Sequence, residues 1–257
     1  MRLAIPAILI AVAAPFAIAT ATAKDTNSAT PAYVTAALND PARKEDAAND
    51  ERRKTAEVIT FTKVKPGEKV LELVPGSGYW TRVFSTVVGP KGRVYTVWPH
   101  EMDKYAAKSI ANWQELVTKP PYKNVDLLQQ NAADLSAPEK VDLVFTSQNY
   151  HDYYDKFMGP VDPATFGKQL MAALKPGGLL VIIDHSAAAG SGTRDTDTLH
   201  RIDPEVVKKD MAAAGFVFDG SSDALRNKDD PLSAKVFDAS IRGHTDQFVY
   251  RFRKPAK

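Results

Sequence analysis

The sequence predicts an α/β fold, a parallel sheet wrapped by helices, on three observations. From Pro66-Gly67 onward, apolar runs of strand length alternate with stretches of helical periodicity, as βαβ units require. Residues 179–183 form an uninterrupted apolar run, the pattern of a central strand buried on both faces. In residues 70–81 (VLELVPGSGYWT) a strand enters a glycine-containing loop and then an amphipathic helix. The 257 residues suit one such domain with a small appendage. With 44% apolar and 25% charged residues, fibrous and wholly disordered classes are excluded. The absence of cysteine excludes a disulfide scaffold, a thiolate zinc site, a cysteine nucleophile and a lipoprotein anchor. Lys and Arg number 33 against 31 Asp and Glu, so the net charge of +2 carries no footprint for nucleic acid or an anionic membrane.

At the N-terminus, Arg2 precedes an apolar run and then Ala21-Thr22-Ala23, an A-x-A cleavage pattern. Residues 1–23 therefore read as a signal peptide cleaved after Ala23, with Ala19-Thr20-Ala21 the neighbouring option. Pro6 and Pro15, in an apolar run of about 17 residues, argue against an anchor helix. The mature protein is expected to be periplasmic or secreted, with no integral membrane segment after cleavage. Residues 24–42 are expected to be a flexible segment, and 43–257 the domain with its own N-terminal helix.

Residues 43–59 (RKEDAANDERRKTAEVI) predict a charged helix with Asp46, Asp50 and Arg53 on one face. That face is either solvated, with Asp50 pairing Arg53, or a lid over the glycine loop. Strands are expected at 70–74, 94–98, 125–128, 141–146 and 179–183. Trp80, Val83, Phe84, Val87 and Val88 mark one helix face, ended by Gly89. A second helix is expected at 101–117, and Phe166, Leu170 and Leu174 mark a third that stops at Pro176-Gly177-Gly178. Asp203-Pro204 opens a fourth and Gly215 closes it. Residues 216–218 and 247–252 read as two closing strands. The polar stretch 219–246 between them is a candidate for substrate contact, with Arg226 and Arg242 as anion clamps.

Glycine in the 76–78 loop lets backbone approach a ligand closely, and the following helix offers free N–H groups. A dinucleotide fingerprint wants glycine at position 81, where this chain has Thr81. Residues 72–78 instead follow, with Val74 at the first glycine position, the E/D-x-G-x-G-x-G loop of class I S-adenosylmethionine-dependent methyltransferases. Residues 174–180 match that family's L-K-P-G-G-x-L run, and Ala214-Gly215-Phe216 its approach to the sixth strand. The chain thus resembles those enzymes over roughly residues 55–255, and looks like an exported subgroup of predicted bacterial methyltransferases.

The resemblance implies a Rossmann-like seven-stranded methyltransferase sheet with helices on both faces, S-adenosylmethionine as cofactor, and a small-molecule acceptor methylated on oxygen or nitrogen. It assigns Gly76 and Gly78 to the cofactor's amino-acid and ribose portions and Glu72 to organising the loop. At the end of the second strand the family carries an acidic residue for the ribose. Here Trp98 stands there and Glu101 is the nearest carboxylate, so either Glu101 reaches back or Trp98 packs on the nucleoside. Asn131 and Ala132 fall at the adenine position, and Asn149 in the loop after the fourth strand is assigned to the cofactor. The alternative reading is a non-catalytic periplasmic ligand-binding protein on the same fold.

His151, Asp152 and His185 are the catalytic candidates, because open α/β sheets bind ligands along the edge where these loops emerge. His151 is expected to be a neutral general base, oriented by Asp152 or Asp184. No metal is predicted, since the spacing is not a metal signature. In the rival arrangement His151, His185 and His200, with a neighbouring Asp, would hold zinc, nickel or iron. Mass spectrometry of the exported protein is expected to find Lys24 at or within a few residues of the mature N-terminus. A cytoplasmic full-length chain would overturn export.

Overall fold

The computed structural model describes residues 29–159 and 161–257; the expected signal peptide, its cleavage point and residues 24–28 lie outside the described residues. Seven strands form one sheet: β1 (Lys69–Leu73), β2 (Arg93–Pro99), β3 (Val125–Gln130), β4 (Val141–Ser147), β5 (Leu174–His185), β6 (Val217–Ser222) and β7 (Gln247–Arg253). Their order is β3-β2-β1-β4-β5-β7-β6. The pairs among β1 to β5 are parallel, while β7 runs antiparallel between β5 and β6. The order in which strands are added therefore reverses between β1 and β4, where α/β sheets open their ligand crevice.

Alternate strand residues feed two cores. On one face Leu71, Val97, Val144, Leu180 and Ile182 pack with Phe166 and Leu170 of α5 (Pro163–Ala173) and Val207 and Met211 of α7 (Pro204–Ala213). On the other, Val70, Val94, Phe145, Val181 and Ile183 meet α3 (Tyr79–Val88) through Trp80, Val83, Phe84 and Val87. Helices thus cover both faces, as the sequence predicts. Two helix starts are capped through the side chain: Asp203, as the sequence predicts, accepts Glu205 N–H, and Asp162 accepts Thr165 N–H. No helix among the described residues is long and apolar enough to cross a membrane.

The N-terminal region departs from expectation twice. Residues 32–38, inside the segment expected to be flexible, form a helix: α1 (Ala32–Leu38) buries Val34 and Ala37 against the core that α3 completes. The charged helix at 43–59 is not one helix either. Short 3₁₀ turns at Pro41–Arg43 and Ala47–Asn49 precede α2 (Thr55–Thr62), and Lys54 breaks the run in a left-handed conformation with φ +48°. The charges here find partners across the fold rather than at i+4. Arg43, 1% exposed, pairs with Asp50, and Asp46 pairs with Arg82 of α3.

The 219–246 stretch also folds inward. Asp230 makes a fully buried pair with Arg201, and Asp246 accepts from Arg226 at 2.8 Å. Arg201 and Arg226 therefore hold this loop to the body. Arg226 uses its Nε on Asp246, and both Arg226 and Arg242 are exposed.

Candidate functional site

The crevice is framed by the loop after β1. Val74 adopts φ +48°, the left-handed conformation for which the family pattern uses glycine. For a residue with a Cβ this costs about 1–2 kcal/mol. Val74 N–H donates to Val97 O at 2.9 Å, and its carbonyl accepts from Asn149 Nδ2 at 3.2 Å. Its side chain packs with Trp98, Ala106 and Ile110. Asn149 also donates to Ser147 O at 2.7 Å, so it positions the loop against the end of β4.

The two glycines do different work. Gly76, at φ +57°, has nothing within 4 Å of a Cβ built on it. Gly78, at φ +80°, would place a Cβ 1.5 Å from the Trp113 ring, which arrives from α4 (Asp103–Leu116). At Gly78 the absent side chain makes room for the Trp113 indole. Glu72 is 2% exposed and accepts the Thr81 hydroxyl at 2.5 Å, tying β1 to α3. Burial raises its pKa from the ordinary 4.5 to about 8, against the lowering pull of Thr81.

The segment before α2 is stitched over the start of α3. Asp46 accepts from Arg82 Nε and Nη2 at 2.5 and 2.6 Å, and Arg82 Nη1 donates to Ser77 O at 2.8 Å. The Tyr79 hydroxyl bonds Asp50 and Thr55. Arg53 does not pair with Asp50. Its guanidinium lies 4.5 Å from the Tyr79 ring centroid and 5.9 Å from that of Trp80, with Nε buried and lacking a hydrogen-bond partner. The sequence suggests that Arg53 pairs with Asp50 on a solvated face or belongs to a lid; among the described residues its guanidinium instead lies against the Tyr79 and Trp80 rings.

At the ends of β2 and β3, Glu101 reaches back. Its Oε2 accepts Ala132 N–H at 2.9 Å, bridging the two strand ends at the expected ribose and adenine positions. Trp98 is 3% exposed and packs with Val74, its indole N–H buried without a partner. Asn131 is exposed and donates to Asp134 at 2.9 Å.

Beyond β4, His151 is nearly buried. Its backbone N–H donates to Asp184 Oδ2 at 2.8 Å and its Nδ1 lies 2.9 Å from Asp184 Oδ1. Nε2 lies 3.2 Å from Asp152 Oδ1 and 3.3 Å from His200 Nδ1. Burial opposes a charged ring, but Asp184 and then Asp152 outweigh it and push the His151 pKa up to about 10. The sequence leads to the expectation of a neutral general base; the carboxylates beside both ring nitrogens instead favour the imidazolium form. His185 turns elsewhere. Its Nδ1 lies 2.7 Å from the Thr245 hydroxyl, and burial lowers its pKa to about 4. The fold gathers His151, Asp152 and His200 and leaves His185 outside. A cavity at the opposite sheet edge, lined by Lys63, Glu68, Lys175 and Arg253, contains none of these residues.

Residues 31–218 match the model of the protein-L-isoaspartate (D-aspartate) O-methyltransferase family. The chain belongs to that family. A protein-L-isoaspartate O-methyltransferase of Methanosarcina mazei is 33% identical over 119 residues, covering 45% of this chain and 40% of that protein. A demethylmenaquinone methyltransferase of Listeria monocytogenes is 26% identical over 134 residues, covering 51% of this chain and 50% of that one. The chain thus spans about half the length of such relatives. A SAM-dependent methyltransferase structure from Aquifex aeolicus shares the fold at a TM-score of 0.56 and 20% identity, covering 86% of this chain and 96% of that one. The stretch matched to the isoaspartate methyltransferase family contains the glycine loop, Glu101 and the His151 cluster, and excludes β7.

Glu72 generates a pH test. Its folded pKa near 8 exceeds the ordinary 4.5, so the folded state holds a proton that the unfolded state releases. Its contribution to stability falls as pH rises from 4.5 to about 8, at up to about 1.4 kcal/mol per pH unit. Urea denaturation of Glu72→Gln is expected to show a flatter stability profile than wild type across that window. Parallel profiles would contradict the assignment.

Proposed function

We propose that the chain transfers a methyl group from S-adenosylmethionine to an oxygen or nitrogen of a small-molecule acceptor. The observation that carries this reading is Val74: it keeps the glycine conformation while its side chain packs with Trp98 and Ile110. The residues around it fit the cofactor. Gly76 leaves open space for close backbone approach. Arg53 offers a guanidinium with an orphaned Nε, suited to a carboxylate. Glu101 has one oxygen held by Ala132 and the other without a hydrogen bond among the described residues, suited to a ribose hydroxyl.

When bound, S-adenosylmethionine supplies a methyl group already activated by its sulfonium. The chain's work is then alignment, since holding reactants in line removes much of the entropic barrier. Arg53 and Glu101 fix the two ends of the ligand, Asn149 holds the loop between them, and the segment stitched to Arg82 limits water at the start of α3. The same reading keeps the chain an exported protein cleaved after Ala23. A non-catalytic ligand-binding role is the second reading, favoured by His151, whose neighbouring carboxylates push its pKa up to about 10, away from that of a base working near neutral pH.

Calorimetric titration with S-adenosylmethionine and its demethylated product tests the proposal. Wild type is expected to bind both. Gly76→Ala, whose left-handed strain costs about 1–2 kcal/mol, is expected to stay folded and bind at least 10-fold more weakly. Unchanged affinity in folded Gly76→Ala, or no binding by wild type, would overturn it. Labelled methyl transfer to a small-molecule hydroxyl or amine separates enzyme from binder, and methyl ester formed on an isoaspartyl peptide would replace the small-molecule acceptor with a protein.

A further inference from the structure

We infer that His151, Asp152 and His200 form a site for one divalent transition-metal ion of the zinc class, with a fourth position open to a small oxygen- or nitrogen-donor ligand. This does not depend on methyl transfer. One ligand atom from each of the three residues falls within 4.8 Å of the others. His151 Nε2 sits 3.2 Å from Asp152 Oδ1 and 3.3 Å from His200 Nδ1. Ligands bonded at about 2.0–2.1 Å in a tetrahedron stand about 3.3 Å apart, so these separations are those of a coordination shell.

The surroundings are those of a ligand set. Histidine ligands donate their second ring nitrogen to a carboxylate or carbonyl, which fixes tautomer and orientation. His151 has this arrangement: its Nδ1 lies 2.9 Å from Asp184 Oδ1, and a bound metal would take the place of the proton on Nε2. Asp184 is fully buried at the end of β5 and is itself held by the backbone N–H groups of His151 and His185. His200 enters by a left-handed turn at φ +55°, so its ring faces His151 edge-on with centroids 5.4 Å apart.

Charge favours a cation as well. Asp152 and Asp184 are buried, and a further buried carboxylate, Asp155, lies close enough to feel His151 and Asp152. One imidazolium cannot balance them. Two imidazoles and one carboxylate select zinc, cobalt, nickel or iron over magnesium or calcium, which take oxygen shells. Three protein ligands leave a coordination position, as in catalytic rather than structural zinc sites. It opens on the side of half-buried His200, whose ring lies 4.9 Å from that of exposed Phe237.

Of the rival set of three histidines with a neighbouring Asp, His185 bonds Thr245 and takes no part, leaving His151, His200 and Asp152.

The untagged full chain, stripped with a chelator, is titrated with Co²⁺ and followed by visible absorption. One equivalent is expected to raise the intense bands of a four-coordinate ion, and Zn²⁺ to abolish them. His200→Ala and Asp152→Asn, each checked for folding by circular dichroism, are expected to bind more than about 100-fold more weakly, beyond the cost of losing an outer partner. His100→Ala, at an exposed histidine elsewhere, is expected to bind as wild type does. No cobalt spectrum in wild type overturns the site. So does binding that survives both ligand substitutions, which would mark the metal as adventitious on exposed histidines.

Discussion

The left-handed backbone at Val74 is the constraint on which the crevice depends. A glycine would adopt it freely; valine does so only because neighbours over-determine it. Val97 O takes the Val74 N–H, Asn149 takes its carbonyl, and Trp98, Ala106 and Ile110 enclose the side chain. These partners come from β2, the loop after β4 and α4. The loop is thereby tied to both strands flanking β1, and Gly76 is left facing open space. Gln148 and His200 also hold positive φ values without glycine's freedom, and both stand in loops leaving the same sheet edge. Lys54, Lys63 and Leu232 adopt the same conformation elsewhere in the fold.

Carboxylates buried at that edge organise what surrounds the loop. Asp184, at the end of β5, fixes the start of the His151 turn through backbone and ring together. Asp46 holds Arg82, and Arg82 in turn holds the Ser77 carbonyl, so the N-terminal segment becomes a cover for the glycine loop. Truncating one member of such a pair leaves the other charge buried alone, which is costlier than the pair's own net worth. The edge is rigid for that reason.

The sheet was legible in the sequence because its signals are local. Apolar runs, the 3.6-residue periodicity of α3 and the Asp203-Pro204 cap need no partner to be read. The site was legible in part. Glu72 and Gly76 lie in the motif loop, and Glu101 and Asn149 lie at the same sheet edge. The rest depended on residues distant in sequence. The packing of Trp113 on Gly78 comes from another helix and has no local signal. Residues 43–59 read as a helix because their partners, Arg82 and Tyr79, come later in the chain. His185 and His200 flank one connection, yet the parallel bridge from Ser186 to Ile202 and the turn at His200 bring only the latter to His151.

The central claim is that valine at the first glycine position preserves the loop without obstructing the ligand. The affinity of Val74→Gly for S-adenosylhomocysteine, compared with wild type by calorimetry, tests it most directly. Because the valine side chain packs with Trp98, Ala106 and Ile110, the account predicts affinities within about threefold, a difference below 1 kcal/mol. A gain of tenfold or more in the glycine variant would show that the side chain obstructs the ligand, and would contradict the account.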